Sequence, residues 1–255
     1  MYLFKKNTFD LIKIKFNLLL IFSILFFSTN IYAEEKFVGF IESLDGKAFK
    51  NDNGKKIKLN VFDQIFVDSE IVIESNSNAT ISFLDNSILT LSSDSTFVVK
   101  NFDNLSQNPE FIILFNKGNF TFESGTIAKN KNGNMKINIS EMEVALNGTL
   151  ITGSNSDEEQ QVSLVEDSMG RVGTLSVTVG DQTTTITDPS KGISLSGNNE
   201  IEEISLSEEE KNQVKKFIKE VTVDAQTDTE EDINRAVAKQ LAAGTIPDAN
   251  GDGVS

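Results

Sequence analysis

The residues whose spacing is most specific for chemistry stand near the end of the chain, in Asp248-Ala-Asn-Gly-Asp-Gly253. Calcium loops take oxygen ligands at positions 1, 3 and 5 and place glycine at position 6, where the chain turns sharply. Asp248, Asn250, Asp252 and Gly253 occupy those four places, and Val254 stands where a backbone carbonyl serves. The bidentate acid of position 12 would fall beyond Ser255, so the loop is half a site. Calcium is thus the one ion the sequence suggests, with Asp248, Asn250 and Asp252 as ligands, and no cofactor is required. Glu141 and Glu143 share one strand face by the two-residue period. Hydrolysis by paired carboxylates needs a cleft and a set separation, which two residues on one strand do not supply.

Missing residue types exclude more than the present ones suggest. The 255 residues contain no His, Cys or Trp. Without imidazole there is no Ser-His-Asp triad and no His-ligated metal. Without thiols there is no cysteine nucleophile, disulfide, zinc finger or iron–sulfur cluster. Twenty-three basic against 38 acidic residues give a net charge of −15, which disfavours nucleic acid and anionic lipid as partners. A non-enzymatic chain is expected.

Residues 1–33 read as an export signal. Lys5, Lys6, Lys13 and Lys15 form a basic start, Leu18–Phe27 an apolar core, and Ile31-Tyr32-Ala33 a small-residue cleavage site before Glu34. The apolar core is shorter than the roughly 20 residues of a membrane helix. Cleavage after Ala33 would leave a mature chain without a span, in the periplasm, at the cell surface or secreted. No Cys follows the apolar core, so no lipid anchor is expected. The Cys-free composition points to a bacterial envelope rather than a eukaryotic secreted domain.

From Phe37 to Leu195 short alternating runs are broken by Gly, Asn and Asp. Examples are Phe37–Ile41, Ile71–Ile73, Ala79–Phe83, Ile88–Leu91, Lys136–Ile139 and Leu175–Val179. Spacing of roughly 8–12 residues per strand and turn predicts a mainly β fold, an antiparallel β-sandwich or β-roll. No stretch here holds a 3.6-residue period, so βαβ units are not expected. Phe111–Phe115 and Asn119–Phe122 read as a hairpin turning at Lys117-Gly118. The β body is taken as 34–197, in two lobes (34–106 and 107–197), with exposed loops at 103–109 and 154–161. A short α-helical, acidic tail follows over 198–255. There Ser207 caps Glu208–Glu210, and a second helix starts at Thr229.

Several segments of the β body resemble the FecR-type domain of bacterial envelope proteins. They are Val38-Gly39 with Asp45-Gly-Lys-Ala48, then Asp68-Ser-Glu-Ile71, and Asn76-Ser-Asn-Ala-Thr-Ile-Ser-Phe-Leu-Asp85-Asn-Ser-Ile-Leu-Thr-Leu91. Asp85-Asn86-Ser87 stands where that family has Asp-Gly-Ser, and Asn also tolerates a left-handed backbone. Gly118–Gly125 and Asn147-Gly148-Thr149 extend the likeness, although the family's Arg before Gly-Thr is absent. The resemblance implies an exported binding or scaffold module of the cell envelope, whose partner is an envelope protein or a glycan. Two alternatives stand beside it: a calcium-stabilised surface or matrix protein, and a transmembrane signalling regulator. The last needs an uncleaved apolar segment and a sigma-binding domain, for which about 15 residues before that segment are too few.

Overall fold

The structure, a computed structural model, describes residues 35–52, 54–167, 170–197, 200–214 and 216. The export signal, the second tail helix and the Asp248–Gly253 loop all lie outside the described residues. In chain order the strands are β1 (Phe37–Asp45), β2 (Ala48–Asp52), β3 (Lys55–Leu59), β4 (Gln64–Phe66), β5 (Glu70–Ile73) and β6 (Asn78–Phe83). Then come β7 (Ile88–Leu91), β8 (Thr96–Asp103) and β9 (Glu110–Glu123), followed by a single helical turn, α1 (Thr126–Lys129). The rest are β10 (Asn134–Ile139), β11 (Met142–Asn147), β12 (Leu150–Asn155), β13 (Glu159–Val165), β14 (Thr174–Val179), β15 (Gln182–Ile186), β16 (Lys191–Ser196) and β17 (Ile201–Ser205).

These strands form because the apolar residues recur every second position, so one face can be buried while the other stays polar. In β10 buried Met135, Ile137 and Ile139 alternate with Asn134, Lys136 and Asn138. Hydrogen bonding divides the strands into two ladders. The first runs β4-β1-β6-β7-β9-β12-β13-β16-β17. The second runs β3-β2-β5-β8-β9-β10-β11-β14-β15.

β9 belongs to both ladders, and Gly118 is the reason. Its φ of 100° lies in the left-handed region, and a Cβ there would meet Ser95 Oγ at 2.2 Å. The first half of β9 pairs with β8 and β10, the second with β7 and β12. Gly118 therefore redirects one long strand between ladders and does not reverse it. The expected hairpin at Lys117-Gly118 is corrected accordingly.

The expected antiparallel sheet is likewise corrected to a mixed one. β9 and β10 run parallel, from Glu110 opposite Asn134 to Phe115 opposite Ile139. Parallel neighbours need a crossover. Residues 118–133 supply it, because the second half of β9 has left for the other ladder and α1 carries the chain back. This β9–α1–β10 unit is one the periodicity could not show, since its helix has only four residues. The loop expected over 154–161 is also shorter than that, a tight turn between β12 and β13 with Ser156 bonded to Glu159.

The core is rich in phenylalanine. Phe111 lies edge-on to Phe83 at 4.8 Å, Phe102 at 5.0 Å and Phe122 at 6.1 Å, so one ring joins residues of both ladders. Such tilted contacts suit the ring quadrupoles and add to the burial itself.

Candidate functional site

Two features gather polar groups. The first is a buried junction where three turns meet. Between β6 and β7, Asn86 takes a φ of 63° and folds Asp85 back over Ser87. Ser87 donates its N–H to Asp85 Oδ1 at 3.1 Å and its hydroxyl to Oδ2 at 2.9 Å. Gly125 N–H donates to Ser87 Oγ at 2.8 Å, and Thr126 N–H to the Asp85 carbonyl at 2.7 Å. Next to them Thr149 N–H donates to Ser124 Oγ at 2.7 Å, while Ser124 N–H returns a bond to the Thr149 carbonyl. Asp85, Ser87, Ser124 and Thr149 are all buried. Their hydrogen-bonding capacity is spent inside the fold, which offsets the cost of burying them. The junction is therefore a structural lock.

The second feature is a row of hydroxyls across the first ladder. Register sets Ser43 opposite Thr80, Thr80 opposite Thr90, Thr90 opposite Thr121, Thr121 opposite Thr152, and Thr152 opposite Ser163. Residues 208–214 are helical and approach this row. Gln213, Val214 and Lys216 close a groove of about 340 Å³ whose floor includes Phe120, Thr121 and Thr152. The helix begins as the sequence predicts. Ser207 Oγ accepts the Glu210 N–H at 3.3 Å, and the Glu210 carboxylate accepts the Ser207 N–H at 2.7 Å, a reciprocal capping box. Ser207→Ala should cost about 1 kcal/mol of local helix stability. Hydrogen exchange over 208–214 would show it, and unchanged exchange there would contradict the cap.

Four exposed groups are perturbed, each for a local reason. The Leu105 N–H, then Ser106, holds Asp103 below the ordinary aspartate value. Hydrogen bonds from Ser194 and then Gln161 do the same for Glu159, and those from Ser207 for Glu210. Bonding to Glu203 raises Lys191. The acids' small contributions are present above their unfolded pKa and are lost as pH falls through their folded values. Lys191 works oppositely: its contribution is full below the unfolded lysine pKa and fades as pH rises through the raised one. The urea midpoint should accordingly be flat near neutrality and fall at both extremes. Glu159→Gln should shallow the acid limb, and an unaltered acid limb would contradict this assignment.

Of the residues singled out from sequence, Asp248, Asn250 and Asp252 lie outside the described part. Among the described residues no group of three or more Asp or Glu is placed to hold a metal ion. Glu143 is engaged by Lys136 Nζ at 2.8 Å. The hydroxyl row escaped sequence reading. Its threonines were visible as the polar phase of alternating strands, but only the register lines them up. No helix among the described residues is long and apolar enough to cross a membrane.

The model of the FecR protein family matches residues 69–172. Asp85, Ser87, Gly125 and Thr149 all fall inside that match. Two crystal structures of a candidate anti-sigma factor from Parabacteroides distasonis are similar at 14% identity, each with a TM-score of 0.44. The alignments cover 53% of this chain and 59% of theirs, and a likeness of that extent carries no argument about function. No curated protein matches.

Proposed function

We propose that this chain, which carries a FecR domain match over residues 69–172, is an exported, non-enzymatic binding or scaffold module of a bacterial cell envelope. The match carries the reading, and the junction of Asp85, Ser87, Gly125 and Thr149 gives it physical content. The turn residues shared with the family act as the lock of the fold, leaving function to surfaces. The groove over Thr121 and Thr152 offers hydroxyl and amide groups beside an apolar floor, suited to hydrogen-bonding a peptide backbone or a sugar. The double ladder is the extended two-sheet roll such a scaffold requires. The basic start, apolar core and Ala33 site support export.

Cell fractionation with mass spectrometry of the native N-terminus tests this reading. A chain starting at Glu34 in the envelope or medium supports it. A chain retaining residues 1–33 in the cytoplasm would overturn it, as would hydrolase activity intrinsic to the purified protein.

A further inference from the structure

The two ladders end in four edge strands, and an edge strand presents unpaired backbone groups that must be blunted or used. At one end lie β3 and β4, at the other β15 and β17. β4 is only three residues long. β3 is Lys55-Lys-Ile-Lys-Leu59, with Lys55, Lys56 and Lys58 exposed. β15 is Gln182-Thr-Thr-Thr-Ile186, exposed over its first four residues and free of charge and proline. The charges around the far end are acidic: Asp181 and Asp188 flank β15, and β17 carries exposed Glu202 and Glu203. Lys191 at that end is already paired with Glu203 at 2.6 Å. The body therefore has a basic end and an acidic end, each finishing the same ladder with a strand of five residues.

We propose that copies of this chain associate head to tail, β15 of one copy adding to β3 of the next. The pairing would continue the second ladder across the interface at ordinary strand spacing and bring β17 toward β4. Three lysines on an edge repel a neutral or basic strand, but they suit one flanked by acids. The same charges disfavour a closed two-fold dimer through β15. Antiparallel self-pairing would bring Asp181 and Asp188 of one copy toward the like-charged ends of the other. A contact between two different surfaces does not close, so the assembly grows as an open chain. This inference concerns contacts between copies alone and stands or falls separately from the envelope reading.

Sedimentation velocity and light scattering on the full purified protein test it. Mass should rise continuously with concentration, and added salt should reduce it. Lys55→Glu/Lys56→Glu/Lys58→Glu disables one end, and Thr183→Lys/Thr185→Lys the other. Each variant alone should be monomeric with an unchanged circular dichroism melt, because all five side chains are exposed. Mixed in equal amounts, the two variants retain one good end each and should stop at a dimer. Wild type that stays monomeric to millimolar concentration would overturn the proposal. So would wild type that stops at a two-fold dimer, or a mixture that forms no dimer.

Discussion

Phe111→Ala should lower the unfolding free energy by about 3–5 kcal/mol, the usual cost of truncating a buried phenylalanine. Phe111 is fully buried and touches the rings of Phe83, Phe102 and Phe122. Since Phe83 and Phe122 pair within the first ladder and Phe102 within the second, the void would loosen both at once. A domain of this kind holds only about 5–15 kcal/mol in total, so the variant should unfold at far lower denaturant. Leu105→Ala is the control. That side chain is 91% exposed, and its loss should leave the midpoint where it was. Equal effects at the two positions in urea titrations would mean that Phe111 is not the joint between the ladders.

Gly125→Ala should be almost as damaging, by a different route. An added Cβ would lie 2.1 Å from the Asp85 carbonyl oxygen and 2.5 Å from the Ser87 nitrogen. Both are backbone atoms, so neither can move aside without carrying its turn along. The bonds from Gly125 N–H to Ser87 Oγ and from Thr126 N–H to the Asp85 carbonyl would both stretch. We expect a loss of about 3 kcal/mol, at the upper end for overpacking. Ser87→Ala, which removes the hydroxyl without forcing the turns apart, should cost about 1–3 kcal/mol. The double variant should cost less than the sum, because both changes break one network. Strict additivity in a double-mutant cycle would contradict the junction as a single unit.

How much of this could be read in the sequence depends on the range of the cause. Local causes were legible. Alternation in Met135–Ile139, the left-handed turn at Asn86 and the cap at Ser207 each follow from residues within a few positions of one another. The redirection at Gly118 was half legible. Glycine announced a positive φ, but whether the chain reverses or changes ladder depends on Ser95 and on which strands flank β9. The parallel pairing of β10 was hidden for the same reason, since nothing near Asn134 records that Glu110 will lie beside it. The junction's members were each visible as family-like turns. Their meeting was not, because residues 85, 125 and 149 are brought together only by the register of β7, β9 and β12. The calcium half-loop at Asp248, Asn250 and Asp252 was the sharpest motif in the sequence, and it lies outside the described residues. Edge chemistry was likewise invisible until strand order showed that Lys55–Leu59 and Gln182–Ile186 finish one ladder.

The central claim, an exported module that binds or scaffolds within the envelope, is tested most directly by crosslinking a C-terminally tagged chain in living cells of its own host. Fractionation and mass spectrometry would then identify what is attached. The account predicts capture in the envelope fraction, joined to an envelope protein or glycan, on a chain that begins at Glu34. Capture of a cytoplasmic sigma factor by a chain that still carries residues 1–33 would contradict it and make the protein a transmembrane regulator.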